Sequence, residues 1–387
     1  MFNFTLYNPT KIFFGRGQIA ELSNEIPKSQ RILLTYGSGS IKKNGVYDQV
    51  ITALKLHTVF DFSGIEPNPK FEQLLESIPI IKQNKIDFLL AVGGGSVIDG
   101  TKFIAAAANF KGDPWTIMSK NPVPTPIETA LPLACVLTLP AAGSEMNCGM
   151  VISKKSSPDK IAASNTLLFP QFSILDPTTT YTLPPKQTAN GIVDTFVHVI
   201  EQYLTYPVNA PIQDRFAEGI LLTLIETAPK IFAEPHNYAF RANLMWSATC
   251  ALNYYIGVGV PNDWATHRLA HEITALFGLD HGEALAVILP SLLNIKRAQK
   301  HEKLLQYAER IWNIKFGTDN EKITKAIFNT KNFFESLGVK TRLRDYGIGT
   351  DAIPNLLQQL KNHNLLALGE HADIDLRQSE QIYLACV

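Results

Sequence analysis

Apolar and polar positions follow two different periods along this chain. Up to residue 184, short apolar runs alternate with helix-compatible stretches, and residues 31–36, 87–92, 133–138 and 172–176 read as buried strands. The first two runs end in glycine-rich turns, Gly37-Ser38-Gly39-Ser40 and Gly93-Gly94-Gly95-Ser96, and each leads into a helical pattern. Strand, glycine turn and helix in repetition predict a parallel sheet wrapped by helices. After Thr182-Leu183-Pro184-Pro185 the period changes. Apolar residues then recur every three or four positions, as in residues 212–232 and 301–311, with Pro207, Pro211, Pro235 and Pro261 between helices. The expected architecture is an α/β nucleotide-binding domain over residues 1–184, with a Rossmann-like parallel sheet, followed by an all-helical domain over residues 185–387.

Composition supports that division. A chain of 387 residues exceeds one core of the usual size, since domains run to roughly 150 residues. Apolar residues make up 45% and charged residues 18%, as in soluble globular proteins. The formal net charge is zero and the basic residues form no stripe, so no nucleic-acid partner is expected. The chain has no apolar run of transmembrane length, and its opening residues lack the pattern of a signal peptide. Cys135, Cys148, Cys250 and Cys386 show no pairing pattern and read as reduced thiols of a cytoplasmic protein.

The glycine turns carry the first candidate chemistry. Gly93, Gly94, Gly95 and Ser96 follow a buried strand and open a helix, with Asp99 one turn on. Glycines there let phosphate oxygens approach the backbone, and the helix N-terminus supplies amide donors. The alternative is a tight turn with Ser96 as N-cap. The turn formed by Gly37, Ser38, Gly39 and Ser40 has no acidic residue to bind a ribose 2′-hydroxyl, but has two hydroxyls with Lys42 and Lys43 close by. That composition suits a 2′-phosphate and favours NADP(H) over NAD(H). A solvated loop with a basic rim is the plainer reading.

The second half carries candidate metal ligands. Asp194 and His198 are spaced i, i+4, on one face of a helix. His267 and His281 lie further on, and a carboxylate with imidazoles suits a borderline divalent cation such as zinc or ferrous iron. Spacing alone leaves the set open. His267 and His271 form a second i, i+4 pair, which local geometry would nominate while leaving His281 aside.

Several separated segments, taken in order, resemble one family. They are Pro9-Thr10-Lys11-Ile12-Phe13-Phe14-Gly15-Arg16-Gly17, the run from Gly93 through Asp99 and Gly100-Thr101-Lys102, and Thr138-Leu139-Pro140-Ala141-Ala142-Gly143-Ser144-Glu145. The chain resembles the iron-containing (group III) alcohol dehydrogenases, which include zinc-loaded members. Within them it is similar to the NADPH-dependent aldehyde reductase and butanol dehydrogenase branch. The resemblance implies a dehydroquinate synthase-like fold and one divalent metal, Zn²⁺ or Fe²⁺, held by Asp194, His198, His267 and His281. It places His271 near cofactor and substrate and Lys160 at the nicotinamide ribose; the proton donor stays open between a water chain and His271, since histidine titrates near neutral pH. Thr138 keeps a cofactor hydroxyl, whereas Ala142 stands where many members have threonine. The implied activity is reversible reduction of short- and medium-chain aldehydes to alcohols by NADPH, in a cytoplasmic homodimer. Polyol-phosphate dehydrogenases and dehydroquinate synthases share the plan but need cations for an anionic substrate, and residues 190–201 contain no Lys or Arg. A metal-dependent hydrolase would need no glycine turns. A non-catalytic NADP-binding or metal-storage protein would lack turnover.

Overall fold

The structure, a computed structural model, describes residues 1–118 and 127–387. It divides into two compact units. One comprises Tyr7–Leu183 with Pro235–Thr249, and the other Met1–Leu6, Pro184–Glu234 and Cys250–Val387. The single division expected at residue 184 omits this exchange of two short segments. The segment after Pro235 joins the first unit through specific contacts. Thr249 donates to the buried Glu145 carboxylate, the Trp246 ring lies 5.8 Å from that of Phe14, and Arg16 sits over the Tyr238 ring.

The first unit is built on a parallel sheet. Its strands are β1 (Lys11–Phe14), β2 (Arg31–Tyr36), β3 (Thr58–Phe62), β4 (Phe88–Gly94), β5 (Leu133–Leu139) and β8 (Phe172–Leu175). They lie in the order β1-β8-β5-β4-β2-β3, every neighbouring pair parallel. Alternate residues of the central strands, among them Ile32, Leu34, Phe88, Leu90 and Val92, share a core with Leu22, Val46 and Val50. An antiparallel hairpin, β6 (Gly149–Ser153) with β7 (Lys160–Ser164), stands apart from the sheet.

Strand order creates a crevice in this unit. The chain runs from β2 out to edge strand β3, then returns to β4 on the other side of β2. That reversal is a topological switch point, where the carboxyl ends of neighbouring strands open a crevice for ligands. The register puts Tyr36 opposite Val92, so the segments after β2 and β4 emerge side by side. Helix α1 (Gly95–Ala107) starts directly from β4.

The second unit is helical. Helix α2 (Pro185–Tyr203) opens on a proline, whose fixed φ suits the first turn, and is buried from Gly191 to Tyr203. Helices α3 (Ala265–Phe277) and α4 (His281–Ile295) pack on it and on each other. Among the described residues no helix is long and apolar enough to cross a membrane.

Candidate active site

Asp194, His198 and Glu201 occupy one buried face of α2 at i, i+4 and i+7. His267 belongs to the first turn of α3, and His281 is the first residue of α4. One donor atom each from Asp194, His267 and His281 lies within 4.8 Å of the others. Asp194 Oδ1 is 4.0 Å from His267 Nε2 and 3.8 Å from His281 Nε2. Neither His198 nor His271 belongs to this trio, although both border it. The His198 ring lies 4.3 Å from that of His267, and the His271 ring 5.2 Å from that of His281.

Local sequence explains the convergence. A Cβ on Gly282 would stand 2.5 Å from the Asn190 carbonyl oxygen, so only glycine lets α4 approach α2 there. Asn190 is one turn before Asp194, and Gly282 follows His281. The close approach therefore brings His281 against the Asp194 carboxylate. Asp280 and Glu283 form a capping box at the start of α4, and Lys186 of α2 bridges both at 2.9 and 3.0 Å.

Glu201 fixes His267 from the other side. Its carboxylate accepts the Thr266 amide at 2.6 Å, the His267 amide at 3.3 Å and a hydrogen bond from His267 Nδ1. A carboxylate is favoured at a helix N-terminus, and a proton held on Nδ1 leaves Nε2 as the ligand atom. Burial, then the neighbouring Asp263 carboxylate, push Glu201 up to about 8. Behind it, the buried Lys300 ammonium binds Asp263 at 2.6 Å and Glu370 at 2.7 Å. On α2, His198 Nδ1 donates to the Asp194 carbonyl at 2.8 Å, which leaves Nε2 as the ring nitrogen not used in that bond. Burial disfavours the His198 cation, but Asp194 outweighs burial and raises its pKa.

These residues fit a divalent metal. Asp194 Oδ1 is buried, makes no hydrogen bond of regular geometry and faces three imidazole nitrogens, His198 Nδ1 at 3.0 Å, His281 Nε2 at 3.8 Å and His267 Nε2 at 4.0 Å, a buried carboxylate position that a divalent cation would satisfy. One carboxylate and imidazoles match the donor chemistry of zinc or ferrous iron.

The glycine segment differs from the expected turn. β4 continues through Gly93 and Gly94, and none of the three glycines has positive φ. Gly93 and Gly94 are required by close approach: a Cβ on Gly93 would meet Val97 at 2.5 Å, and one on Gly94 would meet Leu139 at 2.9 Å. Ser96 lies inside α1 and is not its N-cap, and its hydroxyl accepts the Asn68 amide at 3.3 Å. The β4–β5 register jumps from Gly93↔Leu137 to Gly94↔Leu139, which makes Thr138 the extra residue of a bulge. Such bulges re-aim side chains beside functional sites. Ala142 borders the same segment, its Cβ 3.6 Å from where a Gly95 Cβ would stand. Both Asp99 oxygens are engaged within the protein, by Ser144 Oγ and by the Val151 amide.

After β2, Gly37 accepts the Gly64 amide and Gly39, at φ 95°, caps the helical turn Ser40–Lys43 that carries Lys42 and Lys43. The segment itself is free of acids, but the fold supplies one. Asp61 of β3 accepts hydrogen bonds from Tyr36 and Tyr47, both 2.9 Å, and faces Lys42 at 3.4 Å. Asp61 was not legible because β3 reads as a polar, half-exposed edge. Lys160 Nζ donates to Asn68 Oδ1 at 2.8 Å. Asn68 thus links the lysine to Ser96, and its φ of 56° is one asparagine tolerates. The Pro67-Asn68-Pro69 run could have signalled a turn there. Nothing local signalled Glu201, whose partners come from a helix some sixty residues later.

A parallel nucleotide-type sheet, a helical unit with a carboxylate–imidazole cluster and the sequence itself define the class. Residues 9–177 match the family described as iron-containing alcohol dehydrogenase, and residues 188–385 match its C-terminal part. The chain belongs to the iron-containing alcohol dehydrogenase family of oxidoreductases. It is 57% identical, over all 387 residues and 100% of both chains, to the NADPH-dependent aldehyde reductase YqhD of Escherichia coli. The crystal structure of that protein superposes with a TM-score of 0.98 at 56% identity, covering 100% of this chain and 99% of the other. The NADH-dependent butanol dehydrogenase A of Thermotoga maritima superposes at 0.95 with 35% identity, over 100% and 99% of the two chains.

Proposed function

We propose that this chain reduces short- and medium-chain aldehydes to alcohols with NADPH, reversibly, as a cytoplasmic homodimer loaded with Zn²⁺ or Fe²⁺. What carries the reading is the Asp194, His267 and His281 cluster in a chain that matches an NADPH-dependent aldehyde reductase end to end. When bound, the metal supplies a Lewis acid and the reduced nicotinamide a hydride equivalent. Asp194, His198, His267 and His281 hold the metal, and Glu201 keeps the proton of His267 on Nδ1. Gly37, Ser38, Gly39 and Ser40 take the adenosine end of the cofactor. Gly93, Gly94, Gly95 and Ser96 take its pyrophosphate, Thr138 and Lys160 contact it further along, and Asp99 ties the glycine segment to residues 144–151. His271, buried beside His281, is the side chain we assign to carry the proton to the product oxygen.

NADPH is preferred over NADH in this reading because Lys42 and the Ser38 and Ser40 hydroxyls offer a phosphate-binding rim. Asp61, the nearby acid, is occupied by two tyrosine hydroxyls. An apolar pocket separates homologous aldehydes by only about 1–3 kcal/mol per methylene, so broad specificity is expected. The test is kcat/KM for butanal with each coenzyme. A higher value with NADPH supports the reading, and equal or higher values with NADH remove its coenzyme assignment. No turnover of any aldehyde by protein that binds NADPH would overturn it.

A further inference from the structure

Trp264 has a backbone that its residue type disfavours. It immediately precedes α3 and its φ is +62°. Among the described residues eight non-glycine residues have positive φ. Four are asparagines, which tolerate this region, and only Tyr254 and Trp264 are aromatic. A bulky residue persists there when its surroundings over-determine it, and such outliers gather at functional sites.

Both neighbours of Trp264 are pinned. The Asp263 amide donates to the Glu201 carbonyl at 2.8 Å, and Asp263 Oδ1 accepts the Ala265 amide at 3.0 Å. The Asp263 carboxylate also holds the buried Lys300, and the Thr266 amide is bound by the Glu201 carboxylate. One left-handed residue between these anchors turns the side chain onto the imidazoles. The indole lies edge-on to His267, with centroids 5.4 Å apart and planes at 69°. It meets His198 in the same manner, at 6.1 Å and 65°. These two rings stand 4.3 Å from each other, on different helices, and both are buried.

We propose that Trp264 is a positioning residue for the metal centre, its indole forming the wall that sets the ring orientations of His198 and His267. The proposal rests on the metal reading given above. It explains why a tryptophan occupies a backbone position that glycine or asparagine would take without strain. The ring contacts His198 and His267, and its backbone lies between the anchors of Glu201 and Asp263. Losing the ring therefore removes the packing wall of both imidazoles, loosening their tilt about the hydrogen bonds that stay in place.

The experiment uses full-length protein, stripped of metal and reloaded with Co²⁺. Wild type is compared with Trp264→Gly, Trp264→Asn and Trp264→Phe. Glycine and asparagine accept the left-handed backbone without the ring, and phenylalanine keeps an aromatic edge. The readouts are the ligand-field spectrum of bound Co²⁺ and its rate of release to excess chelator. The expected result is shifted bands and about tenfold faster release in the Gly and Asn variants, within the range for groups that orient metal ligands. The Phe variant should recover most of the difference. Spectra and release unchanged in all variants, or a Phe variant no better than Gly, would overturn the proposal. Wild type without Co²⁺ bands would fail the metal reading itself, and this proposal with it.

Discussion

Gly282→Ala should damage the metal centre without touching a ligand. The new Cβ would stand 2.5, 2.9 and 3.0 Å from the oxygen, Cα and carbon of Asn190. These are backbone atoms of helix α2, so no flexible side chain can yield. Restoring an ordinary 3.4 Å contact from 2.5 Å displaces the start of α4 from α2 by about 0.9 Å. His281 is the adjoining residue, and its Nε2 lies 3.8 Å from Asp194 Oδ1. A displacement of that size exceeds the ~0.2 Å latitude of metal–ligand distances several times over. The expected loss is about 10- to 100-fold in metal affinity, with an overpacking cost of about 1–3 kcal/mol in the metal-free protein. Affinity is read by competition with a chromophoric chelator, and stability by denaturant unfolding. Gly219 supplies the control: it lies inside the Pro211–Ala233 helix with nothing within 4 Å of its Cβ position. Gly219→Ala should stabilise by up to about 1 kcal/mol and leave metal affinity unchanged. A Gly282→Ala protein that binds metal as tightly as wild type would refute the claim that this close approach sets the position of His281.

Three further outcomes are expected. Glu201→Gln replaces the acceptor of His267 Nδ1 with an amide that can also donate, so the proton shifts toward Nε2; chelator competition should show metal affinity lower by about 10-fold or more, and an unchanged affinity would contradict the role given to Glu201. Asn68→Gly keeps the φ of 56° but removes one hydrogen-bond partner of Lys160; NADPH should bind about tenfold more weakly, the worth of one hydrogen bond to a charged group, by fluorescence titration at unchanged thermal midpoint. Glu72 is raised by burial but more strongly lowered by the Lys155 and Ser156 amides it accepts, so its folded pKa lies below the ordinary 4.5. Its stabilisation is therefore complete above that ordinary value and lost as pH falls through the folded one; wild type should out-melt Glu72→Gln at neutral pH, and a gap that persists at low pH would contradict the assignment.

The central strands were legible because each is a continuous apolar run, buried on both faces of a parallel sheet. β3 escaped notice because Asp61 interrupts it and only Phe62 is fully buried. The three glycines suggested a turn, whereas the structure uses the missing side chains of Gly93 and Gly94 for packing against Val97 and Leu139. Periodicity grouped Asp194 with His198, since both lie on one helix face. It would also have paired His267 with His271, because spacing sees only one helix. Which imidazoles meet Asp194 depends on where α4 docks, and that is decided at Gly282 and Asn190, more than ninety residues apart. Glu201 and Trp264 were illegible for the same reason, as their partners come from helices that tertiary folding brings together.

The most direct test of the account is NADPH consumption with butanal by protein stripped of metal, followed by return of zinc or ferrous iron in parallel. The account predicts that activity falls on stripping and returns with at least one of the two metals. Full turnover by protein shown to be metal-free would contradict it, as would no turnover with either metal while NADPH binding is intact.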